Sequence, residues 1–143
     1  SKSRSLAGMR IGYAFGSETL ISTLEAVKNS YNSYTMDSLA LAVGEASIRD
    51  EAYFRETCRK VAATRDRAAD ELRALGFEVT PSLANFLFAT HPKKAAPGIF
   101  SALREKGIFI RYFKLPRIDN HLRITVGTDE QMDALIAALK QIL

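Results

Sequence analysis

The sequence is 143 residues long, 47% hydrophobic and 25% charged, the balance of an ordinary globular domain long enough to bury one core. No run approaches the roughly 20 apolar residues of a membrane helix, and the opening SKSRSLAGMR is too polar and basic for the apolar region of a signal peptide. The net charge of +4 comes from 20 basic and 16 acidic residues spread along the chain, without the clustering of a nucleic-acid binder, and Cys58 with His91 and His121 makes neither a disulfide nor a structural zinc site.

A cytoplasmic protein without metal, membrane or nucleic-acid partners is therefore expected. The sequence has no initiator Met and opens on a Gly/Ser/Arg-containing segment, which reads as a chain starting within a domain, a fragment or processed product.

From Ser17, the run SETLISTLEAVKN sets Leu20, Ile21, Leu24 and Val27 at helical spacing, with Ser17 as N-cap. The polar stretch Asn29 to Thr35 interrupts the period, and the Ala/Leu-rich Met36 to Ile48 follows as a second helix expected to be well buried. From Asp50 to Leu75, charged residues alternate with Phe54, Val61, Ala68, Leu72 and Leu75, one helical face, and Gly76 stands as the C-cap candidate. Phe77 to Thr80 and Ala84 to Ala89 flank the turn signal Pro81-Ser82 and read as two strands meeting in a hairpin or bend.

Pro97 suits the first turn of a helix over Gly98 to Lys106, and Gly107 stops it before an apolar strand at Ile108 to Ile110. After a polar loop from Tyr112 to Asn120, His121 to Val126 reads as another strand. Thr128 and Gln131 form a capping-box signature for a last helix, whose apolar face is Met132, Leu135, Ile136, Leu139 and Ile142. Helices come first, then a strand pair, helix, two strands and helix. That order lacks the regular alternation of a doubly wound fold and predicts α+β.

The string SKSRSLAGMRIGYA sets Lys2 eight residues before Arg10 in a glycine-containing segment. It is followed in order by YNSY, SLANFLF, GIFIR and HLRITVGT. Together these resemble the fold-type I pyridoxal-phosphate aminotransferases, in particular the histidinol-phosphate group. The resemblance implies that residues 1–48 are the end of a large cofactor-binding domain with interdomain helices, and that residues 49–143 are a small C-terminal α+β domain.

It further implies that Lys2 forms the Schiff base with pyridoxal 5'-phosphate and shuttles the proton, with Arg10 and, more weakly, Ser1 at the cofactor phosphate. A planar guanidinium suits such an oxyanion because it meets two oxygens at once. Arg123 resembles the arginine that grips the substrate carboxylate, and Arg111 one associated with a substrate phosphate. Asn85, a polar residue in an apolar run, needs partners if buried, as a structural bridge or a substrate-facing amide. Tyr13 is expected as a core aromatic, Asn32 and Tyr34 in a local turn, and Cys58 half-buried.

The implied parent enzyme is a homodimer that moves an amino group between an amino acid, glutamate by expectation, and a phosphorylated keto compound. A threonine-phosphate decarboxylase and another amino-acid aminotransferase stay open beside it, as does a non-catalytic module binding a phosphorylated ligand through Arg10, Arg111 and Arg123. By itself the 143-residue chain is expected to have little or no transaminase activity, since ring-stacking and pyridine-facing groups are not among its residues.

Overall fold

The computed structural model describes residues 2–143. Five α-helices and four strands follow one another as α1 (Glu18–Tyr31), α2 (Ser38–Arg49), α3 (Glu51–Ala74), β1 (Glu78–Val79), β2 (Phe86–Thr90), α4 (Ala96–Glu105), β3 (Arg111–Tyr112), β4 (Leu122–Thr125) and α5 (Asp129–Ile142), after a single 3-10 turn at Ala7–Met9. The fold is α+β, as the order of sequence elements predicts. The chain divides into two compact units, residues 1–57 and 58–143.

In the first unit the helix starts are set by their caps. The Ser17 hydroxyl accepts from the Leu20 N–H and the Asp37 carboxylate from the Ala40 N–H, each satisfying an otherwise orphaned amide. Asn32 Oδ1 accepts from the Tyr34 N–H at 3.1 Å, the local turn expected there. Burial corrects the sequence reading. Ala40 alone is buried among the described residues of this unit, while Leu20, Leu24 and Val27 of α1 and Leu39, Leu41 and Ile48 of α2 are exposed. Helical period locates an apolar face but does not supply its cover, so α2 is not the buried helix expected. Tyr13 is likewise exposed, against Phe15 at 5.2 Å, rather than a core aromatic.

The second unit has a proper core. Its sheet runs β1-β2-β4-β3, antiparallel throughout. Leu87 and Ala89 of β2 and Leu122 and Ile124 of β4 are buried and cluster with Ala68 and Leu72 of α3, Ile99 and Leu103 of α4, and Met132, Leu135 and Leu139 of α5. Each fully buried leucine or isoleucine stabilises by roughly 1.5–3 kcal/mol. Strand alternation sends Phe86, Phe88, Arg123 and Thr125 to the opposite, uncored face.

Two helices of this unit end by the same device. Gly76 (φ +89°) and Gly107 (φ +76°) take the left-handed conformation. The N–H groups of Phe77 and Ile108 then return to the carbonyls of Leu72 and Leu103, and those of Gly76 and Gly107 to Arg73 and Arg104, a Schellman motif in each case. The glycine after α4 stops the helix as expected, but the following Ile108 to Ile110 joins no strand ladder. The strand begins at Arg111 instead, with Arg111 and Tyr112 paired to Arg123 and Leu122 of β4. Cys58 is exposed, not half-buried.

Candidate active site

On β4, Arg123 stands between two neighbours in register, Phe88 on β2 and Arg111 on β3. Directly paired residues share a face, so the two arginines project from the uncored side of the sheet with Phe86 and Phe88. Aromatic rings surround them. The Arg123 guanidinium carbon lies 5.3 Å from the Phe86 ring centroid and 6.0 Å from that of Phe113, and the Arg111 carbon lies 5.4 Å from the same Phe113 ring. Such faces attract a cation and hold its plane.

Two polar atoms on this face are buried without a partner, Arg123 Nε and His121 Nδ1. The His121 ring stacks on Phe88, centroids 4.7 Å apart and planes 10° apart. A buried donor without an acceptor costs free energy, and among the described residues Arg123 Nε is such a donor. The arrangement can seat an anionic group flatly, through two planar forks flanked by apolar rings. His121 and the Phe113 ring carry no signal in the sequence that would single them out; only strand register brings them to the arginines.

Asn85 does not occupy the apolar strand position expected of it. It lies in a bend just before β2 and is exposed, and it acts through its backbone, the carbonyl accepting from the Val126 N–H at 2.9 Å. That bond extends the β2–β4 ladder by one step. The exposed side chain forms no buried structural bridge, because the bend lifts the residue out of the strand.

In the first unit, Lys2 is exposed and sits in a turn closed by the Ser5 N–H donating to the Lys2 carbonyl at 3.2 Å. Arg10 is also exposed, in the left-handed region at φ +55°, with Nη1 donating to the Ala7 carbonyl at 3.3 Å. One internal bond leaves most of its five donors available. Ser1 lies outside the described residues.

Compared with known proteins, residues 1–139 match the family model "Aminotransferase class I and II". Histidinol-phosphate aminotransferase 2 of Dechloromonas aromatica (strain RCB) is 57% identical over 142 residues, 99% of this chain and 40% of the relative. Histidinol-phosphate aminotransferase 1 of Bordetella parapertussis is also 57% identical over 142 residues, with the same coverage. Among solved structures, histidinol-phosphate aminotransferase from Sinorhizobium meliloti in complex with pyridoxal-5'-phosphate superposes with a TM-score of 0.87 at 32% identity, covering 99% of this chain and 39% of that one. The chain thus spans about 40% of the length of the curated relatives it matches. With the motifs in order and the fold in agreement, the chain belongs to the class I and II aminotransferases.

Proposed function

We propose that the full-length protein carrying this chain is a pyridoxal-phosphate-dependent aminotransferase acting on histidinol phosphate and 2-oxoglutarate, giving imidazole-acetol phosphate and glutamate. The observation that carries this reading is the paired Arg111 and Arg123 on one face of the sheet. A single site that takes a carboxylate in one half-reaction and a phosphate-bearing chain in the other needs more than one anion receptor. Identity of 57% to relatives of that name supports the same substrate pair.

The donor set fits the cofactor. An exposed amine on Lys2 and an exposed guanidinium on Arg10 are the groups that an aldehyde and a phosphate monoester require. Pyridoxal phosphate, when bound, supplies the electron sink for breaking a bond at the substrate α-carbon. Lys2 holds the cofactor through Nζ and moves the proton at that atom. Arg10 grips its phosphate, with Ser1 as a second donor. Arg123 orients the α-carboxylate by its planar fork, Arg111 takes the substrate phosphate, and Asn85 stands at the mouth of the same ladder as a substrate contact. Residues 1–48 belong to the large domain and residues 49–143 to the small one in this reading. The enzyme is cytoplasmic and homodimeric; no described helix is long and apolar enough to cross a membrane.

The decisive assay incubates the full-length enzyme with histidinol phosphate and 2-oxoglutarate and follows glutamate, beside a second reaction with L-threonine phosphate monitored for carbon dioxide. Glutamate formation without carbon dioxide is expected. Carbon dioxide release without transamination would sink the proposal. The 143-residue chain alone should give no glutamate above background.

A further inference from the structure

Arg4, two residues after Lys2, reaches the junction of α2 and α3. Its Nη1 donates to the carbonyls of Ser47 at 2.9 Å and Asp50 at 3.2 Å, and its Nη2 meets Glu51 Oε2 at 2.9 Å. Its guanidinium carbon sits 3.9 Å above the centroid of the Phe54 ring. Ser47 lies in the last turn of α2, Asp50 is the C-cap of that helix, and Glu51 opens α3. One planar group therefore satisfies carbonyls at a helix C-terminus, where a cation is favoured by the helix dipole, pairs with a carboxylate and stacks on a ring. The compact ammonium of a lysine has no plane to lay on the ring and no rigid fork for the separate acceptors.

The turn that Arg4 secures is the one carrying Lys2. The Ser5 N–H closes it onto the Lys2 carbonyl, and Ser5 itself takes the left-handed conformation at φ +55°. An open hollow of about 340 Å3 lies beside the brace, lined by Ser3, Arg4 and Ser5 of the turn and by Val43, Ala46 and Phe54 of the helices. Farther along, the segment meets α2 again at Gly44. A Cβ there would come within 2.9 Å of Ile11 Cδ1, so the helix admits Ile11 at close range because the residue is glycine.

We propose that Arg4 is the positioning residue of Lys2, bracing the turn that bears the amine against the α2–α3 junction so that only the side chain of Lys2 has to move during turnover. The inference rests on the reading of Lys2 as the catalytic amine. Glu51 is held below the ordinary carboxylate range chiefly by its hydrogen bond from Arg4.

The test uses the full-length enzyme loaded with pyridoxal phosphate, in five variants: Arg4→Ala, Arg4→Lys, Glu51→Gln, Phe54→Leu and Lys2→Ala. Two readouts are taken, the pH titration of the visible absorption of the bound cofactor and the separate values of kcat and KM for glutamate. Arg4→Ala should move the titration midpoint and lower kcat about tenfold to a hundredfold, the cost of misplacing a reacting group by an ångström or so. KM should change much less. Arg4→Lys should recover only part of the loss, and Glu51→Gln should show a smaller shift in the same direction.

A folded Arg4→Ala enzyme with the parent titration and kcat overturns the inference. If Arg4→Ala does not fold, Glu51→Gln and Phe54→Leu decide, and parent values in both overturn it equally. The Lys2→Ala variant separates the two ideas. A pH-dependent cofactor band that survives that substitution removes the reading of Lys2 and this inference with it. A band lost in Lys2→Ala beside a silent Arg4→Ala removes the positioning role alone.

Discussion

Arg123 meets Phe86 and Phe113 with its face while its Nε lies buried and unmatched, so its chemistry depends on shape as much as on charge. Arg123→Lys keeps the charge but loses the fork. In the full-length enzyme it should raise KM for glutamate about tenfold or more, equivalent to about 1.4 kcal/mol, and a steady-state titration of glutamate checks this. Arg111→Lys should act more on the phosphorylated substrate than on glutamate. Equal effects of both variants on both substrates would dissolve the division of labour. The arginines were legible in the sequence because GIFIR and HLRITVGT carry them as motifs. The rings that flank them were not, since Phe113 falls in a loop by pattern and His121 looks like any strand residue.

Among the elements, α5 shows how far a local signal reaches. The Gln131 N–H donates to Thr128 Oγ1 at 3.4 Å and Gln131 Oε1 accepts from the Thr128 N–H at 3.0 Å, the reciprocal box expected from residue spacing. Thr128→Ala should lower the unfolding free energy by about 1 kcal/mol, measurable by denaturant titration; no change would mean that packing of the helix face alone sets its start. The helix stops at Gly76 and Gly107 were equally readable, because few residues but glycine accept a left-handed backbone. The strand at Ile108 to Ile110 failed for the opposite reason. A β-favouring triplet forms a strand only where a partner's hydrogen bonds are actually made, and here the ladder stops at Arg111 although β4 runs on to Thr125.

At the scale of the molecule the two units differ in kind. The second closes its core within its own residues; the first presents the apolar sides of α1 and α2 without cover among the described residues. Sequence pattern predicts faces, not their occupants, which is why burial of α2 was misread although a helix in this stretch was not, its start lying two residues later at Ser38. In the second unit α3 is tied to the start of α5 through Arg67, which meets Asp129 at 2.9 Å, Asp133 at 2.6 Å and Glu71 at 3.2 Å, with Thr64 donating to Asp129 at 2.9 Å.

Hydrogen bonds from Arg67 first and Thr64 second hold the Asp129 carboxyl below the ordinary range, and the Arg67 guanidinium is pushed up in return. A carboxylate with a depressed folded value binds its proton more weakly when native than when unfolded. Its contribution is therefore present above the unfolded value and is lost as pH falls through the folded one. Melting temperature should stay level from neutral pH toward about pH 5 and drop below about pH 4. Asp129→Asn should lower it at neutral pH and flatten the acid limb. An unchanged acid limb would assign the transition to other carboxyls.

The β3–β4 pairing is only two residues long, and one of its two rungs sets arginine against arginine. Like charges directly opposite one another weaken a ladder, so this rung is where an anion held between the two arginines, the role proposed for them, would help the sheet edge most. Retention of the edge strand and occupancy of the receptor are then one coupled equilibrium, and a ligand that binds only the paired form stabilises it by mass action. In the full-length enzyme, amide hydrogen exchange at Arg111 and Tyr112 should slow with added inorganic phosphate, while the β1–β2 amides keep their rates. Uniform slowing would trace the effect to global stability instead. On the proposed reading, the repulsion between arginines that face each other bare becomes the means by which a bound anion rivets the strand in place.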